Sequence, residues 1–439
     1  MTTTILSDAA TTVVRLPFLQ RLLRDRVVDR LKGLKNGALA FSGNGSGGEI
    51  VCGAADGALG SARIEVRDGR FWSAVALGGA LGAGESFSAG HWLSDDPARV
   101  VRIMLRDRHV LNACESGIGS LFAPLLKVWH ALRPNSISGS KKNIAAHYDL
   151  GNDFFSMFLD PSMTYSSAVF APEDVGAGVA SLQKSQGNKL RRLCQKLGLS
   201  SKDRLLEIGT GWGSMAMCAA GEFSATVTTT TISRRQFDLA RERFDRAGLS
   251  DRIQLVEQDY RALQGQFDKL VNCEMVEAVG HQFLPGFFGR CAELLRPGGV
   301  MAMQAITIQD QQYKAALKHV DFIKRYVFPG SFIPSVTALV DAATEGSDFR
   351  LVHMEDFSRH YAETLRQWRE LLLQNRAAIL AAGYDDQFLR TWEWYLAYCE
   401  GGFAEGYLGL AQLVFARPGS SHAVDSAALA PVAADPYRG

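Results

Sequence analysis

DRLLEIGTGWGSMAMCAA, Asp203–Ala220, is the stretch that decides the fold. Leu205–Ile208 reads as a short buried strand, Gly209, Gly211 and Gly213 as a tight turn with no side chains in the way, and Ser214 onward as a helix of small residues. Such a turn lets the backbone approach a ligand and sets a helix N-terminus beside it, as in nucleotide-cofactor cradles. By spacing alone a glycine-rich turn is also compatible with a purely structural connection, so the flanking segments carry the decision.

Outward from that turn, strands alternate with helices. A helix at Gly178–Leu197 precedes it; a Thr-rich strand (Ala225–Ile232), a helix (Arg234–Ala247), strands at Ile253–Glu257 and Lys269–Cys273, a helix (Phe283–Leu295), the turn RPGG and a strand (Val300–Ile306) follow. This rhythm predicts an α/β fold with a doubly wound, mostly parallel sheet, whose ligands lie at the carboxyl ends of the strands. Gly209–Gly213, Thr231–Gln236, Asp259–Tyr260, Glu274–Glu277 and Gln304 then surround one crevice. Residues 308–400 read as helical, aromatic-rich insertions forming a lid, and Tyr407–Gly419 as the closing strand. The acidic residue Glu207 lies inside the strand before the first glycine, and E-x-G-x-G-x-G resembles the first motif of S-adenosylmethionine-dependent methyltransferases. An oxidoreductase remains open from this stretch alone.

The N-terminal third has another texture. Residues 12–35 carry Arg15, Arg21, Arg24, Arg26, Arg30, Lys32 and Lys35 between Phe18, Leu19, Leu22, Leu23, Val27, Leu31 and Leu34, the pattern of a basic amphipathic helix. It suits an anionic membrane surface and equally a helix packed on its neighbour. Ala38 to about Trp92 reads as a small β-rich module. Helical patterns return at Asp95–Asn112 and Ile118–Leu132, and Arg133–Asn143 reads as a linker. The expected organisation is a smaller α+β accessory domain (1–138), a catalytic domain (139–419) and a disordered Ala/Pro-rich tail (420–439).

Composition narrows the class. In 439 residues, 47 basic and 46 acidic side chains give a formal charge of +1, which argues against a nucleic-acid partner. Seven scattered cysteines without C-x-x-C spacing read as core residues of a reduced, cytoplasmic protein, with no metal site. There is no apolar run long enough for a membrane span and no secretory signal pattern.

HYDLGNDFF, MTYSSAVF, LEIGTGWG, TISRRQ, CEMVEAVGH, YVFPGSFIPS, YAETLRQWR and LVFARPG, in that order from about Asn143 to Gly419, resemble the cyclopropane-fatty-acid synthase family. The N-terminal part resembles the accessory domain of its longer bacterial members. The resemblance implies methyl transfer from S-adenosylmethionine to a double bond of an unsaturated phospholipid acyl chain, then proton loss that closes a cyclopropane ring. Loss of a different proton would give a methylene or methyl-branched chain and call for an oxidoreductase partner; a catalytically weak lipid- and cofactor-binding homologue is the third reading. The implied place of action is the inner face of the membrane, bound peripherally from the cytoplasm; a homodimer is compatible with the sequence.

The resemblance also implies site residues. Tyr165 and Ser166 would meet the methionine end of the cofactor beside Glu207, and Gly209, Gly211 and Gly213 its backbone side. Thr231, Ile232 and Gln236 would hold the ribose region, with Tyr260 near adenine. The family's base is understood as bicarbonate held by a Glu, a His, a Tyr and a cysteine backbone. Glu277 and Tyr361 match two of these, while Ser167 stands in place of Cys and Gln304 in place of His, so bicarbonate binding is in question. Aromatics such as Phe154, Phe155, Phe158, Tyr165, Trp392, Trp394 and Tyr395 are candidates for a cation-stabilising wall or for ordinary core. Glu274 reads as the less committed neighbour of Glu277, compatible with a surface acid.

Overall fold

Short runs between glycines build a four-stranded sheet in the N-terminal part: β1 (Ala38–Ser42), β2 (Ile50–Gly53), β3 (Ser61–Val66) and β4 (Trp92–Ser94), in the order β2-β1-β3-β4. The computed structural model describes residues 16–110, 151–175 and 179–437, which fall into two units, Met1–Phe122 with Asp386–Trp394, and Ala123–Asp385 with Tyr395–Gly439. The expected helix 118–132, the linker Arg133–Asn143 and the first four residues of the first family motif, 147–150, lie outside the described residues. Residues 386–394, expected in the catalytic domain, group with the first unit.

In the first unit β3 alternates exposed and buried residues along its length, as a sheet with one covered face requires. The β-rich expectation is corrected at Arg70–Ser88, which is a helix broken at Gly79 (φ 55°). Its first turn buries Phe71 and Trp72, which pack with Phe41 and Trp92; Trp72 Nε1 donates to the Gly45 carbonyl at 2.9 Å. The alternating runs between glycine-rich turns suggested strands throughout, but sheet and helix present the same large side chains to this core. Trp394, expected near the catalytic aromatics, packs tilted against Phe87 and edge-on to Trp92 here, both at 5.3 Å.

The basic helix forms at Phe18–Leu31, and its apolar residues divide into two groups. Leu23, Val27 and Leu31 are buried, as is Leu34 just beyond, whereas Phe18, Leu19 and Leu22 are 79, 62 and 42% exposed. No helix among the described residues is long and apolar enough to cross a membrane.

The second unit holds a seven-stranded sheet of β5 (Arg204–Ile208), β6 (Thr226–Thr231), β7 (Ile253–Glu257), β8 (Phe267–Cys273), β9 (Leu295–Ile308), β10 (Arg350–Asp356) and β11 (Leu408–Ala416), ordered β10-β11-β9-β8-β5-β6-β7. β5 to β9 pair in parallel, and β11 runs antiparallel to both its neighbours. The α/β, doubly wound expectation therefore holds. The order reverses on either side of β5, which makes the end of β5 a topological switch point. One apolar cluster packs Phe287 and Phe288 beneath β8 and β9, and another packs Leu193, Leu197, Met215 and Phe244 around β5 and β6.

Three expectations are corrected in this unit. β10 lies in the stretch read as wholly helical; it is an edge strand of mixed burial with no clean alternation to reveal it. β9 runs straight through RPGG instead of starting after it. The tail is not disordered: Arg192 donates to the Ala430 carbonyl at 2.7 Å, Ala433 N–H to Phe170 O at 2.9 Å, and Asp435 pairs with Arg359 at 2.8 Å. The Ala/Pro-rich composition suggested disorder, but these polar anchors lie on other segments.

Candidate active site

The turn after β5 needs glycine for different reasons at each position. Gly213 (φ 93°) would place a Cβ 2.5 Å from Phe244 Cε1, so its bareness serves helix packing. At Gly211 (φ 53°) nothing lies within 4 Å of that point, and the turn is open to a ligand. Glu207, 3% exposed, accepts from Thr229 Oγ1 at 2.6 Å. Desolvation pushes its pKa to about 8, against the opposing pull of that hydroxyl and of Lys189.

Lys189 was missed in the sequence. It is wholly buried and donates to Ser166 Oγ at 2.5 Å and to Cys273 Sγ at 3.5 Å, with no carboxylate of the described residues at ion-pair distance. The signal was available: on the helix Val179–Lys196, Lys189 and Lys196 both fall on the stripe of Leu182, Leu193 and Leu197, where apolar residues belong. Beside them, Tyr165 hydrogen-bonds Tyr395 (OH to OH, 2.8 Å) and packs at 5.2 Å from both Phe155 and Trp368.

The end of β6 is closed by its own polar contacts. Thr231 Oγ1 donates to Gln236 Oε1 at 2.9 Å and accepts from Ser233 N–H, with Ile232 half-buried between them. After β7, Tyr260 turns edge-on to Phe287 (5.5 Å) with Arg261 over its ring, so packing occupies much of the side chain expected near adenine.

At the rim of β8 the two glutamates separate. Glu277 Oε1 accepts from Ile306 N–H at 2.6 Å, while Oε2 is buried without a partner among the described residues. Desolvation and then the charge of Glu274 raise its pKa to about 8. Glu274 is no surface acid: Oε1 accepts from Ser167 N–H at 2.9 Å and Gln304 Nε2 at 2.7 Å, and Oε2 from Tyr361 O–H at 2.7 Å. Burial raises its pKa and these donors pull it back. The Ser167 hydroxyl turns away to the Ala168 carbonyl. Three of the groups that the resemblance assigns to bicarbonate are thus already spent on a carboxylate of the chain, and the site as built does not fit that ion.

Tyr361 also lies 4.4 Å from Phe403 and 6.1 Å from Trp368, ring to ring, which puts an aromatic wall beside the carboxylates. Behind them runs a buried polar chain. Gln412, opposite Gln304 in the β9–β11 register, donates to Gln304 Oε1 at 2.8 Å and accepts from Lys196 Nζ at 2.8 Å. Lys196 pairs with Glu355 at 2.7 Å, and Arg192 with the same carboxylate at 2.6 Å.

A parallel sheet with a glycine turn at its switch point, an acid inside the preceding strand and a capped β6 end defines an S-adenosylmethionine-dependent methyltransferase, and the open side of Gly211 together with the Glu207 carboxyl and the Lys189 amine fits that zwitterionic cofactor. The mycolic acid cyclopropane synthetase family model matches residues 136–413, and the chain belongs to that family. It is 37% identical over 357 residues to a tuberculostearic acid methyltransferase of Mycobacterium tuberculosis, covering 78% of this chain and 80% of that one. It is 34% identical over 359 residues to the cyclopropane-fatty-acyl-phospholipid synthase of Escherichia coli, covering 81% and 88%. Among solved structures it resembles the cyclopropane synthase MmaA2 of M. tuberculosis (TM-score 0.58, 28% identity, 63% of this chain and 98% of that one). The mycolic acid cyclopropane synthase CmaA1, solved with S-adenosylhomocysteine and CTAB, matches with the same TM-score, identity and coverage.

Proposed function

We propose that the protein transfers the methyl of S-adenosylmethionine to the double bond of an unsaturated acyl chain in membrane phospholipid and closes a cyclopropane ring. The observation that carries this reading is the pair Glu274 and Glu277 set against the aromatic wall of Tyr361, Phe403 and Trp368. Aromatic faces stabilise a developing cation, and a carboxylate sheltered from water can take its proton. When bound, S-adenosylmethionine supplies an electrophilic methyl. Glu207 would answer the positive end of that cofactor and Lys189 its carboxylate, with Tyr165 and Ser166 alongside; Gly209, Gly211 and Gly213 give the backbone approach, and Thr231, Ile232, Gln236 and Tyr260 bound the nucleoside side.

The exposed Phe18, Leu19 and Leu22 on the basic N-terminal helix support docking on an anionic lipid surface, from which an acyl chain is drawn. A second product is favoured by the M. tuberculosis relative, which is named for methylation and not for a ring. In that case a hydride shifts from the methylated carbon to its cationic neighbour, and loss of a proton from the added methyl then leaves a methylene that an oxidoreductase would reduce. Mass spectrometry of lipids from a host expressing the protein tests both: a gain of one CH2 unit is expected, as a saturated ring in the first reading and as an alkene in the second, with two further hydrogens once that alkene is reduced to the branched chain. Unchanged lipids alongside intact cofactor binding would refute both and leave a binding homologue.

A further inference from the structure

Glu274 ends β8 in a left-handed conformation (φ 51°), a strained position for a residue with a side chain, and its N–H is held by the Gln304 carbonyl at 2.7 Å. The strain aims its carboxylate at three donors from distant segments, Ser167 N–H, Gln304 Nε2 and Tyr361 O–H. We propose that Glu274 is the resident general base of this enzyme, a carboxylate built into the chain at the place where the family resemblance puts a bicarbonate ion.

Three observations carry it. The donors are used, and a second anion there would meet a like charge with nothing left to hold it. The direction of the Gln304 amide is imposed as well. Lys196 can only donate, so Gln412 must turn its oxygen to Lys196 and its nitrogen to Gln304, and Gln304 must turn its own nitrogen to Glu274. All three side chains are wholly buried, so the polarity runs from the Lys196 ammonium, held by Glu355 and with its pKa lowered by burial to about 8, to the base. Finally, Glu277 sits beside Glu274 with one carboxylate oxygen lacking a partner among the described residues, whereas Glu274 has three donors that favour its charge, so of the pair Glu274 is the one built to be the carboxylate.

The step balances with the reactants of the proposed methyl transfer. The sulfur keeps the S–C bonding pair as the methyl leaves, the alkene π pair forms the new C–C bond, and the neighbouring carbon becomes cationic. Glu274 then takes a proton from a carbon next to the cation or from the added methyl, and the released C–H pair forms the double bond or closes the ring. The carboxylic acid so formed returns its proton to water when product leaves.

The proposal rests on the methyl-transfer reading, and the experiment separates the two. Purified full-length protein is assayed on vesicles of unsaturated phosphatidylglycerol in carbon-dioxide-free buffer, with and without added bicarbonate, and titrated with [13C]bicarbonate by NMR. The parent is expected to turn over equally in both buffers and to bind no bicarbonate. Glu274→Ala is expected to lose turnover by about 10²–10⁴-fold with cofactor affinity within two-fold, and to bind bicarbonate and regain rate from it. Glu274→Gln, which keeps the volume, is expected to lose rate without rescue. Saturable bicarbonate binding or stimulation in the parent, or parental turnover in Glu274→Gln, would overturn the proposal. If no lipid is methylated at all, the function reading fails and the titration still decides: binding by Glu274→Ala alone supports the proposal, and any other pattern overturns it.

Discussion

Gln412→Glu reverses the buried chain behind the site while changing one atom. Lys196 and Arg192 now face a single carboxylate, Glu355, so the cluster carries one excess positive charge; the substituted carboxylate would cancel it and keep the Lys196 contact now made at 2.8 Å. The fold should therefore survive. Once ionised, however, that new side chain has no hydrogen for Gln304, which must turn its nitrogen away from Glu274 and present an oxygen instead. That removes a charge-assisted bond made at 2.7 Å, worth about 1.5–3 kcal/mol, from the anionic form of Glu274. At about 1.4 kcal/mol per decade, turnover should fall about 10- to 100-fold if Glu274 must be ionised to act. The alkaline shift of Glu274 should also move the acidic limb of the kcat profile upward, a response that simple loosening of the core would not produce. Stopped assays of methyl incorporation from pH 6 to 9, with calorimetric cofactor binding and a thermal melt, measure all three quantities. A Gln412→Glu protein with normal melting, parental kcat and an unmoved pH profile would refute the reasoning about amide polarity.

Further outcomes follow from other parts of the molecule. Glu277 has a folded pKa of about 8 against 4.5 unperturbed, so the folded state holds its proton more tightly and the group's contribution to stability falls as pH rises from 4.5 to 8, by up to about 5 kcal/mol. Denaturant titrations of Glu277→Gln should show that alkaline loss diminished, and an unchanged slope between pH 6 and 9 would contradict it. Gly213→Val should fail to fold well because of Phe244, whereas Gly211→Val should fold, a few degrees less stable, and lose S-adenosylmethionine affinity. Undiminished binding by the folded Gly211→Val would remove the turn from the cofactor site. Replacing Phe18, Leu19 and Leu22 with Ser should weaken sedimentation with anionic vesicles by about 1.5–3 kcal/mol for each side chain that had inserted, leaving the melt unchanged since all three are exposed; equal sedimentation would assign that surface another role.

Much of the fold was legible along the chain because its signals are local. The alternation of Leu205–Ile208, glycine turn and small-residue helix, then strand and helix in turn as far as Ile306, depends on neighbours a few residues apart, and each strand and helix named there exists in the structure, the turn RPGG alone being absorbed into β9. Local signals failed where packing overrides them: Arg70–Ser88 is helical although its preceding run alternates, β10 is an edge strand without a period, and the stripe of the N-terminal helix faces the core for half its length only. The catalytic reading of Glu274 was not accessible from sequence at all. Its partners Ser167 and Tyr361 lie 107 and 87 residues away, Gln304 lies 30 away, and the orientation of Gln304 is set by Gln412 and Lys196, themselves 216 residues apart. A sequence specifies which side chains can donate or accept; which donor meets which acceptor is decided only when strand register brings β8, β9 and β11 together, because a hydrogen bond forms over a few ångströms and those separations close only in the folded chain.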